Sequence, residues 1–322
     1  MKAIQQSQGD VGNEVKLYTP KPSVKFDGAT AAGPNPTAGT NPQPGVIFDY
    51  VLPADWTDKQ TAVLEISDAD GNVLRSFTSK KQAKPKTWTG GPEPAKPLPA
   101  KAGLNRFYWD LRTEPVAGIN NVFMFGSHNG PRVTPGTYTL KLNAADQTAE
   151  CTATVTADPR VEAKPEDYRL QAEMLGKIRA TLADIHTTVN QYRQVKSQVS
   201  ARLVAIRKIS GTEELVQQGQ AINQQLNTWE QQLIQPSQKT FQDVINFPNR
   251  LNAQLVFLAG QLDTNDPQTT QGCRDRLAEL VKQWETQKSA LQAIVGGPIA
   301  QFNQAYRAQD LPALIIPHQH DK

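Results

Sequence analysis

The sequence predicts two regions of different class, an immunoglobulin-like β-sandwich followed by an antiparallel four-helix bundle. Short β-branched and aromatic runs alternate with turns over residues 45–158, as is typical of a sandwich. Beyond Pro165 the apolar period changes from two residues to about three and a half. We therefore assign the sandwich to 45–158, the bundle to 163–309, an extended linker to 1–44 and a flexible tail to 310–322.

The first predicted strands surround a tight turn. An apolar run at 46–52 precedes two further strand-like runs, 61–66 and 72–77. Asp70 and Gly71 lie between the last two runs, and an Asp-Gly pair in that setting is a strong signal for a β-hairpin.

Two segments form the centre of the predicted sandwich. Residues 103–112 read GLNRFYWDLR, and residues 130–138 read GPRVTPGTY. The second segment leads into a hairpin whose strands are 137–142 and 148–156. We assign structural roles in these segments to Asn105, Arg106, Trp109, Asp110, Pro135, Gly136 and Tyr138.

Asp110 is the most tempting candidate for chemistry in the predicted sheet. Alternation along a strand directs Trp109 to the core and places Arg106 and Asp110 on the other face. We expect Asp110 to pair with Arg106 or to bind loop backbone, because glycosidic chemistry needs a second carboxylate that the sequence does not supply.

Four amphipathic segments with short links predict the bundle. The first begins at Pro165, a residue suited to the first helical turn, and ends before Gly211. The others end before Pro236, begin near Pro248 and follow Pro267. In the fourth, the sequence Gly-Gly-Pro at 296–298 predicts a kink or break. Trp229 and Trp284 lie on the apolar stripes and are expected in the core.

Charge does not indicate a nucleic-acid partner. The 34 basic and 31 acidic residues give a net charge of +3, and the basic residues are scattered. One cluster lies in a Pro-containing loop, where we expect a solvated surface, with an anionic surface or glycan partner as the alternative. Its members are Lys80, Lys81, Lys84 and Lys86.

The remaining residue types predict no catalytic, cofactor or metal site. The two cysteines, Cys151 and Cys273, fall in different predicted domains and exclude a disulfide framework. Four histidines give no convincing dyad or ligand set: His128 beside Ser127, His186 in the first helix, and His318 and His320 in the tail. No apolar run approaches the roughly 20 residues of a membrane span, and the N-terminus lacks the pattern of a signal peptide.

Three separated motifs resemble one bacterial family. The segments 103–112 and 130–138, followed by Asp158-Pro159-Arg160, are similar to the C-terminal region of sortilin-like or BNR-repeat "glycosyl hydrolase" proteins. Residues 247–255, FPNRLNAQL, resemble the helical segment of that family. In those proteins a β-propeller precedes an immunoglobulin-type domain, like that of flagellar hook-capping proteins, and a helical region.

The resemblance implies an accessory role. The propeller repeats are absent from this chain, so the family transfers no catalytic residue, and residues 1–44 read as a linker or the remnant of an upstream propeller. We expect a non-catalytic scaffold that docks a propeller, another protein or a glycan. The alternatives are a fragment of a glycoside-hydrolase-like enzyme whose active site lies in the propeller, and a helical protein-interaction module. The family implies a periplasmic or extracellular location.

Overall fold

A computed structural model describes residues 12–26, 44–81, 95–309 and 311. All its strands lie before residue 157, and all its α-helices lie after residue 164. The predictions for Lys84, Lys86, His318 and His320, for the tail and for most of the 1–44 segment fall outside the described residues.

The strands form two sheets. The first has the order β1-β3-β6 and the second has the order β2-β8-β7-β4-β5. The strands are β1 (Lys16–Leu17), β2 (Ser23–Val24), β3 (Val46–Leu52), β4 (Ala62–Ser67), β5 (Val73–Thr78), β6 (Gly103–Trp109), β7 (Gly136–Ala144) and β8 (Gln147–Thr156). All described pairings are antiparallel except that of β2 with β8.

The two predicted hairpins are confirmed. β4 pairs with β5 across a turn in which the Asp68 carboxylate accepts the backbone N–H groups of Asp70 and Asn72, at 3.0 and 2.8 Å. Gly71 has φ +83°, a left-handed conformation that glycine adopts without steric cost. β7 pairs with β8 from Gly136 opposite Val155 to Ala144 opposite Gln147.

Alternation along the strands builds the core between the sheets. Phe48 and Tyr50 of β3, Leu64 of β4 and Leu140 of β7 are all almost completely buried. Burial of one such side chain contributes about 1.5–3 kcal/mol, so this apolar cluster is the main stabilising element of the β region.

The predicted immunoglobulin-like sandwich is wrong. The β region is a curled half-barrel of three and five strands, and the whole chain has a mixed α/β architecture. Segment 12–26 contributes one strand to each sheet, and β2 makes the larger sheet mixed rather than antiparallel. These two strands have two residues each, too few for alternation to reveal their pairing.

The helices follow the predicted start and stop signals. They are α1 (Pro165–Ile206), α2 (Glu213–Leu233), α3 (Leu251–Leu262), α4 (Gln271–Ile294) and α5 (Ala300–Ala308), with a 3₁₀ turn at Phe241–Ile245. The Asp167 carboxylate accepts the backbone N–H of Lys164 at 2.8 Å, which fixes the start of α1. Pro298 lies in a π turn, Val295–Ile299, through which α4 continues into α5.

The predicted antiparallel four-helix bundle is also wrong. The apolar faces of the helices share one core with residues of the connection between β6 and β7, including Ile119, Val122 and Met124. Because residues between β6 and β7 belong to this core, the helices do not form a self-contained bundle. Helical periodicity identified each helix, but it does not identify an irregular segment packed among them.

Candidate functional site

A partly buried ion cluster joins the sheet region to the helices. The Asp263 carboxylate, just after α3, accepts from the Arg112 guanidinium at 2.7 Å and from the Arg132 backbone N–H at 3.1 Å. The Arg132 guanidinium also donates to the Asp263 carbonyl oxygen at 2.8 Å. We call Arg112, Arg132 and Asp263 the junction clamp. Its two cations compensate one partly buried carboxylate, so loss of the carboxylate would leave both without this partner.

A second ionic contact lies where β8 leads to α1. Asp158 is 2% exposed, and its carboxylate accepts from the Arg160 guanidinium at 2.6 Å and from the Asn265 amide at 2.8 Å. The hydrogen bonds from Arg160 hold the pKa of Asp158 well below its usual range. Through Asn265, this aspartate links the end of the sheet to the loop that follows α3.

A buried lysine makes the third link. Lys25, which is 1% exposed, donates from Nζ to the Gln171 side-chain oxygen at 3.1 Å and lies over the ring of Tyr168. The Gln171 amide donates to the carbonyl oxygen of Leu262 at 2.7 Å. These bonds connect the N-terminal segment, α1 and α3, so the three contacts fix the sheets relative to the helices.

Two aromatic residues with predicted structural roles, one from each of the segments 103–112 and 130–138, pack together. Trp109 and Tyr138 form an edge-to-face pair with ring centres 5.4 Å apart. The Trp109 indole N–H donates to the Arg112 carbonyl at 2.9 Å, and the Tyr138 hydroxyl donates to the Thr134 carbonyl at 2.6 Å. Burial raises the pKa of Tyr138. The pair holds the turn on which Arg132 approaches Asp263.

The other predicted motif residues lie apart from the clamp. Arg106 pairs with Asp49 across the β3–β6 ladder at 2.7 Å, rather than with Asp110. Asn105 closes the turn before β6 by donating to the Lys101 carbonyl at 2.7 Å. Asp110 is exposed and accepts the backbone N–H of Arg112 at 3.1 Å. Pro135 and Gly136 lead into β7.

A partly open cavity of about 60 Å³ lies under the loop that contains Ser127 and His128. We call it the loop cavity. Apolar side chains of α1 and α3 form much of its wall, and Asp263 of the junction clamp lies at its edge. The wall includes Val116, Leu175, Ile178, Leu182, His186, Val256 and Ala259.

His186 is the buried polar group of that cavity. It is 4% exposed, and its Nδ1 lies 2.8 Å from the Ala117 carbonyl oxygen. Because a carbonyl only accepts, Nδ1 holds the proton and Nε2 has the lone pair. Nε2 has no hydrogen-bond partner among the described residues. Burial lowers the pKa of His186 to about 4, so the ring is neutral at pH 7.

The loop histidine has a different environment. The His128 ring Nε2 lies 3.1 Å from the Met124 carbonyl oxygen, and burial lowers the pKa of His128. The Ser127 hydroxyl oxygen accepts the backbone N–H of Asn129 at 3.4 Å. The polar groups of this loop are thus engaged in holding its own backbone.

An open groove lies on the other side of α3. It encloses about 450 Å³ between α3 and the first turn of α4. We call it the α3–α4 groove. Its lining consists of Asn249, Gln254, Phe257, Leu258, Gln261, Thr270, Gly272, Cys273 and Arg276. Phe257 is 58% exposed, whereas the neighbouring Leu258 is buried.

Most of the groove's surface is apolar, and four of its lining side chains carry uncharged amide or hydroxyl groups. The Thr270 hydroxyl oxygen accepts the Cys273 backbone N–H at 3.2 Å and caps α4. The Gln254 amide donates to the Asn249 carbonyl at 2.9 Å and accepts from Arg276, which also pairs with Glu279. The side chain of Gln261 makes no hydrogen bond to any described residue.

The described ranges include neither a candidate membrane span nor a candidate metal-ligand group. No described helix is both long and apolar enough to cross a bilayer. Among the same residues, no three histidine, cysteine or acidic side chains are grouped so that they would hold a metal ion. Cys151 and Cys273 are both free thiols. Neither a protein-family model nor a curated protein matches the chain.

Sequence reasoning missed both the clamp and the groove. Asp263 lies 131 residues from Arg132, and no local pattern connects them. Phe257 left a visible signal, because the stripe of Leu251, Leu255, Leu258 and Leu262 places the core on one side of α3. Phe257 lies off that stripe, so the pattern predicts that its ring is exposed.

Proposed function

We propose that this chain is a non-catalytic accessory module that holds a docking surface in a fixed position for a partner, either a protein or a glycan. We further propose that it corresponds to the C-terminal part of a propeller-containing sortilin-like protein. The observation that supports the docking role is the junction clamp, in which Asp263 is shared by Arg112 and Arg132.

The clamp favours a fixed spacing between the sheets and the helices. A surface salt bridge contributes at most about 1 kcal/mol, but removing one member of a buried pair costs about 3–5 kcal/mol. Three junction contacts of different kinds oppose hinge motion between the two regions: the partly buried ion pairs of Asp263, the bond from Asp158 to Asn265, and the bond from Lys25 to Gln171. A spacer that presents a partner needs this property.

The distribution of polar groups favours docking over catalysis. The charged groups at the junction bind other groups of the chain, while Asp110 is exposed and binds a backbone N–H. A general acid or nucleophile requires a second group that contacts the same substrate atoms. The exposed polar and aromatic side chains gather instead in the α3–α4 groove, where they are available to a partner.

Catalysis is tested with a broad panel of aryl glycosides. We expect the purified chain to release no more aryl alcohol than an unrelated protein purified in the same way. Turnover above that level would overturn the non-catalytic proposal, and its loss in Asp110→Asn would assign the activity to that carboxylate.

Docking is tested with the propeller protein encoded nearest to this chain. Sedimentation velocity of the mixture is expected to show a 1:1 complex that neither protein shows alone. If the partner is a glycan instead, the chain is expected to bind that glycan. The absence of both a complex and glycan binding would contradict the docking role. Wild-type behaviour of Asp263→Asn in the mixture would show that the clamp does not position the docking surface.

A further inference from the structure

The α3–α4 groove has the dimensions of a ligand site. Its volume of about 450 Å³ falls within the roughly 300–1,000 Å³ of clefts that hold small molecules. Its two walls belong to different elements, the exposed side of α3 and the first turn of α4. Because Leu258 is buried in the helical core and Thr270 caps α4, the floor and one rim are held in place.

One aromatic face supplies the apolar part of the site. Phe257 lines the groove and is 58% exposed, whereas most other side chains of α3 are buried. The ring has a flat apolar face, on which a ligand with a flat array of C–H groups packs with dispersion and desolvation gains.

Amide and hydroxyl groups surround that face. Gln261 has a free carboxamide, and the amide nitrogen of Asn249 makes no hydrogen bond to any described residue. The Gly272 backbone N–H lies in the first turn of α4, where helical geometry supplies no carbonyl partner. A carboxamide both donates and accepts, so this rim matches a ligand whose groups also do both.

Charge in the groove favours a neutral ligand. Arg276 is its one charged lining residue, and this guanidinium pairs with Glu279 and donates to Gln254. An anion would have to compete with Glu279 for that cation, and a cation would meet no free carboxylate in the lining. A ligand rich in hydroxyl groups avoids both costs.

We propose that the α3–α4 groove is a carbohydrate-binding site that takes one or two units of a neutral glycan. The C–H face of a sugar ring packs on Phe257, and its hydroxyl groups bond to Gln261, Asn249 and the Gly272 N–H. A single exposed ring in this small concavity is too little for a stable protein interface, which buries about 1,200–2,000 Å². The inference rests on the proposed docking function and identifies the partner as a neutral glycan.

The test uses the full chain and a panel of neutral oligosaccharides. β-1,4-glucan, chitin, mannan, galactan and starch oligosaccharides are titrated against the protein, and binding is measured by calorimetry and by NMR. For a two-sugar ligand in an open site we expect a dissociation constant on the order of 0.1 mM for at least one member.

Three variants and a matched control locate the site. Phe257→Ala is expected to weaken binding at least tenfold, Gln261→Ala several-fold, and Phe257→Trp to retain or strengthen it because the wider ring offers more stacking area. Phe241→Ala is the control, because Phe241 is also an exposed phenylalanine, 63% accessible, but does not line the groove. Its affinity is expected to equal that of the wild type.

The outcomes separate the carbohydrate inference from the docking proposal. Failure of every oligosaccharide to bind at 10 mM, or equal binding by wild type and Phe257→Ala, would overturn the carbohydrate inference. If the neighbouring propeller protein still bound the chain, and Phe257→Ala reduced that binding, the groove would be a protein-docking surface and the docking proposal would stand.

Discussion

The two sides of α3 face very different environments. On one side, the loop cavity is small: Asp263 at its edge binds two arginines, and His186 binds a backbone carbonyl through Nδ1 while its Nε2 has no partner among the described residues. On the other side, the α3–α4 groove is open and leaves an aromatic ring and a carboxamide uncommitted. The charged groups at the junction therefore stabilise the chain by binding one another, whereas the accessible groups of the groove are the ones a partner can use.

The junction clamp gives the largest expected effect on stability. Asp263→Ala removes the shared acceptor of Arg112 and Arg132 and leaves both cations partly buried without it. We expect the free energy of unfolding to fall by about 3 kcal/mol, the low end of the range for buried pairs because these side chains are only partly buried; urea denaturation with circular dichroism measures the fall. Phe257→Ala on the other side of α3 is the matched control and is expected to stay within about 0.5 kcal/mol of the wild type.

Equal losses in the two variants would contradict the distinction between the sides of α3. A loss of stability confined to Asp263→Ala would support that distinction, because the two residues lie on or next to the same short helix.

The buried imidazole makes stability depend on pH. His186 has a pKa of about 4 in the folded chain against 6.5 for the free side chain, so the unfolded chain binds more protons between these values. Stability therefore falls as the pH decreases from 6.5 to 4, by about 3 kcal/mol in total. Urea denaturation at pH 7.0, 5.5 and 4.5 measures the fall.

His186→Asn is the informative comparison for the pH effect. The asparagine amide replaces Nδ1 as the donor to Ala117 but does not titrate, so the variant should lose most of the slope. His128, whose pKa burial also lowers, contributes in the same direction and is removed separately with His128→Asn. An unchanged slope in His186→Asn would show that its imidazole is not the titrating group.

A glycine contact in the cavity loop gives a smaller effect. A Cβ atom on Gly130 would lie 2.2 Å from the Thr113 carbonyl oxygen, and Thr113 is itself bonded to Pro131 in the same turn. We expect Gly130→Ala to destabilise the chain by about 2 kcal/mol in thermal denaturation.

Gly176→Ala is the opposite case in the same assay. Gly176 is exposed within α1 and nothing lies within 4 Å of an added Cβ, so helix propensity predicts a gain of about 0.5–1 kcal/mol. Destabilisation in both variants would contradict the role assigned to the Gly130 contact.

Local signals in the sequence predicted the elements but not their assembly. Pro165, Asp70-Gly71 and the Leu251–Leu262 stripe determine local structure, and the corresponding helices and hairpin are present. The pairing of β2 with β8 and of Asp263 with Arg132 joins residues more than 100 positions apart. Such contacts depend on the whole core. The sandwich and the bundle were therefore predicted wrongly although the individual strands and helices were predicted correctly.

The candidate groove was partly accessible to sequence reasoning. Phe257 departs from the buried stripe of α3, and this departure is readable without a structure. The first turn of α4 and residue Asn249 complete the groove only because α3 and α4 pack against each other. No local pattern predicts that packing.

Chemical-shift mapping during the oligosaccharide titration compares the two sides of α3 in one experiment. With a binding member of the panel, we predict shifts concentrated at residues 249–261 on the groove side and 270–276, with no change in the His186 ring or in the loop at 127–131. Shifts concentrated at His186 and that loop instead would contradict the assignment of docking to the open groove.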